Sequence, residues 1–452
     1  VESPSEQSGP SFWRLLTASA AGTVVETYDL ILTALVASLV FNHAFFPDIA
    51  PWIGTLAAIG AAAVAYVGRP LGAVVFGWIG DRYGRLPALR VSILGAGLAT
   101  VGIGLIPTAE TIGVMAPIIL VALRLVQGIA LGGEFGGATS IALEHAPPHR
   151  RFLYGTFASV GSMGGVALAT VTVLATTAGM GMDAFREWGW RIPFVASAIL
   201  IVVALIARRL EESPEFEQER HRRETEAGTG RPVEALSVLK RGLLVLACLV
   251  MTTPSGTITF ALSTGMLPVV NAGGLQGIDI ATFQVALVVL SLLAMPISLW
   301  GGWLGGRVRP ELVIIIGGVL VTATAFPVVA LIGTGSPVLL FVAIVLAAPG
   351  YALVSGPAAS FVAASLPTGL RYLGIGIAYA GASLIGGGVL PVIALAIAGE
   401  NYDTLLPFAC ILAGAGVVAL MGLVLTGRAR SAVGEAKSAD SAPVDDVTMG
   451  RS

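Results

Sequence analysis

The sequence predicts an all-α membrane protein of twelve transmembrane helices, arranged as two repeats of six. Composition points there first: the 452 residues are 55% hydrophobic and only 12% charged, with mean hydropathy +0.87, whereas soluble domains carry about 25% charged residues. Twelve apolar runs, each near or above the ~20 residues a helix needs to cross a bilayer, give the count. The halves also echo one another. Gly77-Trp-Ile-Gly-Asp81-Arg82-Tyr-Gly84-Arg85 follows the second run, and Gly302-Trp-Leu-Gly-Gly306-Arg307-Val-Arg309 follows the eighth, 225 residues on. Parallel six-helix repeats place a binding site between the halves near mid-membrane and suit alternating access by rocking.

In chain order, residues 1–14 form a polar N-terminal segment, and no cleavable signal is expected, because the first apolar run is already of membrane length. The first six spans are expected at 15–41, 52–78, 88–107, 112–142, 153–178 and 190–207, making an N-terminal bundle over 15–207. Mixed charges with Gly228 and Pro232 make 208–241 a partly helical linker. The second bundle, 242–427, holds spans at 242–270, 280–305, 311–333, 337–363, 372–398 and 404–427. The tail 428–452, rich in Ser, Ala, Asp and Gly, is expected to be disordered. The 58 glycines suit close approach of membrane helices. Gly132-Gly133 and Gly386-Gly387-Gly388 lie in apolar runs and read as packing spots.

Charge orients the chain. Of 25 Lys and Arg, only Arg186 and Arg191 fall in outer loops and only Arg69 and Arg124 within spans. The others lie on the side of the termini, which the positive-inside rule assigns to the cytoplasm. Trp13, Trp52, Trp188 and Trp190 at span ends read as interfacial anchors. Two cysteines, both in apolar runs, exclude a disulfide framework. The net charge of −2 gives no reason to expect a nucleic-acid partner.

The stretch around which the chain is organised is Glu26-Thr-Tyr28-Asp29. Two carboxylates three residues apart share one face of a helix, near the middle of the first span. Each charge at that depth costs about 2.5–3.5 kcal/mol unless it has a partner, and Arg69 and Arg124 lie at similar depth. A buried carboxylate beside an arginine is a proton sensor, since burial and the positive neighbour act oppositely on its protonation. Asp29 paired with Arg124 is the expected proton-coupling pair. Glu26, on the same face, is a second proton carrier or an inter-helix hydrogen-bonding group. Arg69 has no carboxylate assigned to it by position and is the expected anchor for a substrate carboxylate, unless Glu26 neutralises it; a guanidinium binds a planar anion bidentately.

Gly77-x-x-x-Asp81-Arg82-x-Gly84-Arg85 resembles the loop signature of the major facilitator superfamily. Within it, several runs are similar to the metabolite:H+ symporters, which include α-ketoglutarate, citrate, shikimate and proline/betaine carriers. They are Glu26-x-Tyr28-Asp29, Arg69-Pro-Leu-Gly72, Arg124-Leu-Val-Gln127-Gly128 with Gly132-Gly133-Glu134, Trp190-Arg191-Ile-Pro193-Phe194, Glu212-Ser-Pro-Glu215-Phe216 and Arg371-Tyr372-x-Gly374. The resemblance covers about residues 12–427. Thr27 stands where that family has Trp, and the stretch Ala364–Pro367 lacks a Glu the family often has. The resemblance implies the major facilitator fold, coupling of protons through Asp29 and Arg124, and a gate on the inner side.

That gate is expected to contain Asp81, Arg82, Arg85, Glu134, Glu144, Arg151 and Arg371. Gly306 replaces the aspartate in the second copy of the signature, so the gate is expected to be held mainly by the first. Substrate contacts are expected from Arg69, Tyr28, Gln127, Thr257, Gln284, Tyr351 and Tyr379, polar groups at mid-span depth. Nothing in the sequence points to an enzyme, a cofactor or a metal: there is no His-rich cluster, nucleotide loop or nucleophile–base set. The sequence is therefore read as a monomeric, multi-pass symporter of a prokaryotic plasma membrane, both termini cytoplasmic. It would import a small organic acid such as a dicarboxylate, keto acid or shikimate-like monoacid together with H+. A proton-coupled betaine or proline symporter and proton-driven efflux of amphipathic compounds are the alternatives.

Overall fold

The computed structural model describes residues 12–440 except 84, 148–149, 208–234, 367, 401 and 403. Among the described residues, eleven helices are long and apolar enough to cross a membrane, and a bent pair, counted as one span, makes twelve. In order they are α1 (Leu15–Phe45), α2 (Pro51–Ile79), α3 (Pro87–Gly104), α4 (Met115–Thr139) and α5 (Arg151–Met180). The bent pair α6 (Met182–Gly189 with Arg191–Ile206) turns through 65°. The second set is α7 (Arg241–Asn271), α8 (Ile280–Arg307), α9 (Pro310–Gly333), α10 (Pro337–Ser365), α11 (Leu373–Ala398) and α12 (Leu406–Ser431). The face where α1 begins and α12 ends is called the inner face below.

The bundle is inside-out relative to a soluble domain, as a bilayer solvent requires. Val67, Leu71, Val74, Ile199 and Val202 face outward with more than half their surface exposed, whereas Glu26, Asp29, Arg69, Arg124, Gln127 and Glu134 are at most 1% exposed. Backbone polar groups are satisfied within the helices. Prolines at 70, 254, 296, 327, 349 and 357 are accommodated inside spans. At the outer end Asp279 caps α8 by accepting from the Thr282 N–H at 3.0 Å. The hydrogen bonds that Thr282 gives it, side chain first, hold its carboxyl below the ordinary range.

The tightest seam joins α2 to α4. A Cβ placed on Gly72 would meet the Ile129 carbonyl, one on Gly128 the Ala65 carbonyl, and one on Gly132 the Arg69 carbonyl. Glycine at these positions lets the two backbones touch, which fixes Arg69 and Arg124 relative to each other. Across the boundary between the halves, α5 runs along α8 and α2 along α11. The triple glycine 386–388 lies in a π-helical segment of α11 (Leu384–Val389). It packs there against Thr257, Phe260 and Tyr66.

Two expectations change. Trp190 is not an interfacial anchor: it is fully buried, edge-on to Phe41, Phe45 and Phe194, because the bend in α6 turns it inward. Trp13 and Trp188 are well exposed, as anchors should be. The helix of α12 continues to Asp440, so the first part of the expected disordered tail is helical; its Ala, Arg, Glu and Lys are good helix formers. The helix leading into α7 starts at Ala235, within the stretch read as a partly helical linker. The rest of the linker, residues 1–11 and 441–452 lie outside the described residues.

Candidate functional site

Glu26 and Asp29, on one face of α1, end in two different polar clusters. Glu26 forms an ion pair with Arg69 of α2. Arg69 is thus not left without a carboxylate, and Glu26 belongs with it rather than with Arg124. The Arg69 guanidinium also lies 5.2 Å from the centre of the Tyr379 ring of α11, and its Nε has no hydrogen-bond partner.

Asp29 and Arg124 do not pair directly. The Thr100 hydroxyl of α3 donates to Asp29 Oδ2 at 2.8 Å, Gln127 Nε2 donates to Thr100 Oγ1 at 2.6 Å, and Arg124 donates to Gln127 Oε1. The cause is local competition. Gln127 sits one turn along α4 from Arg124, Thr33 one turn along α1 from Asp29, and the guanidinium takes Thr33 Oγ1 at 3.1 Å together with the Ala62 carbonyl of α2. Two opposite charges are therefore joined by a relay of neutral groups, and Asp29 Oδ1 is left buried without a partner.

Between the halves lies a cavity of ≈ 20 Å³, space for about one water molecule, which needs ~10–15 Å³ by the same measure. Arg69, Tyr351 and Tyr379 line it. So do Thr27 and Ser355, the latter one of the polar groups in the apolar runs of the second half, together with Ser159, Ser162, Ser255, Thr259, Phe135 and Phe260, which the sequence does not single out. Thr259 donates to the Tyr351 hydroxyl at 2.9 Å, while the Ser355 hydroxyl is buried without a partner. Membrane Ser and Thr usually bond their own helix, so type and spacing carry no signal for these hydroxyls. Thr27 departs from the family's Trp, which by itself does not point to a cavity. A second small cavity, lined by Arg124, Tyr66 and Gly387, shares Leu30 with the first.

Four expected substrate groups do not line the first cavity. Tyr28 donates its hydroxyl to the Pro193 carbonyl at 3.0 Å, tying α1 to α6. Gln127 is spent in the relay, and Thr257 donates to the Thr253 carbonyl of its own helix at 2.9 Å. Gln284 is buried on α8 with neither amide atom hydrogen-bonded.

Both ends are closed by contacts between the halves. At the inner end Ser360 donates to the Phe152 carbonyl at 2.7 Å and Ser159 to the Ser355 carbonyl at 3.0 Å. At the outer end Asn271 donates to the Ser38 carbonyl at 2.9 Å and accepts from Arg186 at 3.2 Å. Of the expected gate, Glu134 is fully buried and its charge reaches Arg69, and Arg151 is exposed at the start of α5. The side chains of Asp81, Arg82, Arg85, Glu144 and Arg371 lie outside the described residues. In the second copy of the signature Arg307 stacks on Trp303 at 4.0 Å.

Residues 20–391 match the family model of the Major Facilitator Superfamily. The chain is 35% identical over 391 residues to the inner membrane metabolite transport protein YhjE of Escherichia coli, covering 84% of this chain and 87% of the relative. It is 35% identical over 392 residues to the shikimate transporter of the same organism, covering 85% and 87%. With the proline/betaine transporter of Salmonella typhimurium it shares 29% over 420 residues, covering 91% and 82%. A crystal structure of a D-xylose-proton symporter has the same fold, with TM-score 0.68 at 15% identity over 90% of this chain and 97% of that one. The chain therefore belongs to the major facilitator superfamily, on its metabolite:H+ symporter branch, and is a multi-pass membrane transporter rather than an enzyme.

Proposed function

We propose that this protein imports a small organic acid together with protons by alternating access, with its inner face cytoplasmic as the Lys/Arg bias indicates. The observation that carries the reading is the Glu26–Arg69 ion pair on the wall of a closed cavity between the halves. A substrate carboxylate can replace Glu26 on Arg69 at little electrostatic cost only if Glu26 loses its charge. A proton on Glu26 does that, and a monoanion entering with one proton adds no net charge to a site shielded from water. The freed guanidinium offers bidentate hydrogen bonds to the incoming carboxylate. The hydroxyls of Thr27, Ser159, Ser162, Ser255 and Ser355 suit the hydroxyl or carbonyl groups of such an acid. Shikimate, named for one relative, is a hydroxylated carboxylate of this kind.

Asp29 and Arg124 act beside this site as the coupling pair. Protonating Asp29 leaves the Arg124 charge without compensation at the end of the Thr100–Gln127 relay. The relay then favours a different helix arrangement, which is what a conformational switch requires.

The test is binding of a carboxylic acid and its neutral amide to the purified protein and to Arg69→Lys and Arg69→Gln. Wild type should prefer the acid, Arg69→Lys should weaken that preference because the bidentate fork is lost, and Arg69→Gln should abolish it. An undiminished preference in Arg69→Gln would overturn the assignment. A zwitterion such as a betaine is the second reading. Phe135, Phe260, Tyr351 and Tyr379 bring aromatic rings to the cavity, and aromatic faces bind quaternary ammonium groups.

A further inference from the structure

On the lipid-facing surface at the inner end, α7 and α12 part to leave a groove of ≈ 370 Å³. From α7 it takes Leu243, Leu246 and Val250, spaced along a single helix face, and from α12 Leu425 and Arg428. At 1.5 Å per residue the α7 stripe is about 10 Å long, roughly two-thirds of one leaflet of a 30 Å hydrocarbon core. Leu243, Leu246 and Leu425 are 40–55% exposed. Arg428, exposed on α12, closes the groove at its inner end. Among the described residues, Arg428 forms no ion pair with a carboxylate.

Ordinary lipid contact needs only an apolar surface. This groove adds a guanidinium group, that of Arg428, at its inner end above an apolar wall. A guanidinium pairs with phosphate bidentately, and basic pockets between spans on the cytoplasmic side recognise anionic headgroups. We propose that the groove is a site for an anionic glycerophospholipid of the inner leaflet. Its phosphate sits on Arg428, and one acyl chain lies along Leu243, Leu246 and Val250. The site bears on transport because Ser255 and Thr259 of the cavity follow on the same helix, just beyond Pro254. A lipid wedged against the inner end of α7 therefore biases how that helix sits.

The experiment is native mass spectrometry of the purified full-length chain with phosphatidylglycerol or phosphatidylcholine, checked by size-exclusion chromatography for an intact fold. Wild type should retain phosphatidylglycerol at least tenfold better than phosphatidylcholine. Arg428→Ala should remove that difference, Leu246→Trp should lower retention by filling the groove, and Arg307→Ala, on the Trp303-stacked arginine elsewhere on the inner face, should change nothing. Equal retention of the two lipids, or no effect of Arg428→Ala, would reduce the groove to unspecific lipid contact. A cross-link from Leu246→Cys to a cysteine placed within 208–234, undisturbed by phosphatidylglycerol, would give the groove to the chain's own linker and overturn the proposal.

Discussion

Phe135 of α4 and Tyr379 of α11 lie face to face, ring centroids 3.6 Å apart and planes within 8°. They meet on the inner side of the cavity and join one half of the molecule to the other. Arg69 leans on the same tyrosine, so the ring pair and the charged group are mechanically linked. An aromatic pair contributes about 0.5–1.5 kcal/mol and a desolvated cation–π contact up to ~2 kcal/mol. Tyr379→Ala should therefore raise the labelling rate of a cysteine at Ser162 by membrane-permeant thiol reagents by roughly tenfold. Tyr379→Phe, which keeps the stack, should stay near wild type. Unchanged labelling in Tyr379→Ala would mean that other contacts hold the inner door.

The two carboxylates of α1 should fail differently. Glu26→Gln removes the charge that competes with substrate for Arg69, so substrate affinity should lose most of its pH dependence; in wild type it should rise as pH falls and Glu26 takes its proton. Asp29→Asn should leave exchange of labelled for unlabelled substrate intact while abolishing accumulation driven by a pH gradient. Both are read in proteoliposomes. Accumulation by Asp29→Asn would move the coupling role to Glu26 alone.

Thr27 lines the cavity where the family's pattern has tryptophan. Thr27→Trp puts an indole into space that now holds about one water, and overpacking of this kind costs about 1–3 kcal/mol. Binding of any substrate that uses the Thr27 side of the cavity should fall tenfold or more, with folding retained by size-exclusion chromatography. A variant that binds as well as wild type would place the substrate away from α1.

The glycine seam gives a stability test with its own control. Gly72→Ala drives a methyl into the Ile129 backbone, whereas a Cβ on Gly60, in the same helix, meets nothing within 4 Å. Gly72→Ala should cost about 1–3 kcal/mol, seen as a lower unfolding temperature in detergent. Gly60→Ala should be neutral or stabilising, since alanine is the better helix former.

The spans were legible because length and apolarity are what a bilayer reads, and the mid-span charges stood out for the same reason. Which arginine each carboxylate meets was not legible. Three-residue spacing puts Glu26 and Asp29 on one face of α1, but helix tilt and the competing Gln127 and Thr33 decide that Arg69 takes Glu26 and that Arg124 is relayed to Asp29. Tyr351 and Tyr379 could be picked as large polar groups in apolar runs. Ser159 and Ser162 could not, since nothing local separates a serine facing a cavity from one bonded to its own turn. Trp190 misled because a tryptophan at a span end looks the same whether the helix bends inward or runs straight.

The π-helical segment of α1, Ala37–Phe41, has a counterpart in α7, Ala261–Gly265. The two start 224 residues apart, within one residue of the spacing between the copies of the glycine-rich signature. A π turn holds one residue more than an α turn, so each segment is in effect a single-residue insertion that rotates everything beyond it by about 100°. Beyond the first lies Phe45, packed on Trp190; beyond the second lies Asn271, the outer-end link to Ser38. Matching insertions at matching places are what a lengthening already present in a six-helix ancestor would leave after its gene was copied. Losing one residue from either segment would rotate what lies beyond it, taking Phe45 off Trp190 in the first half or Asn271 off Ser38 between the halves.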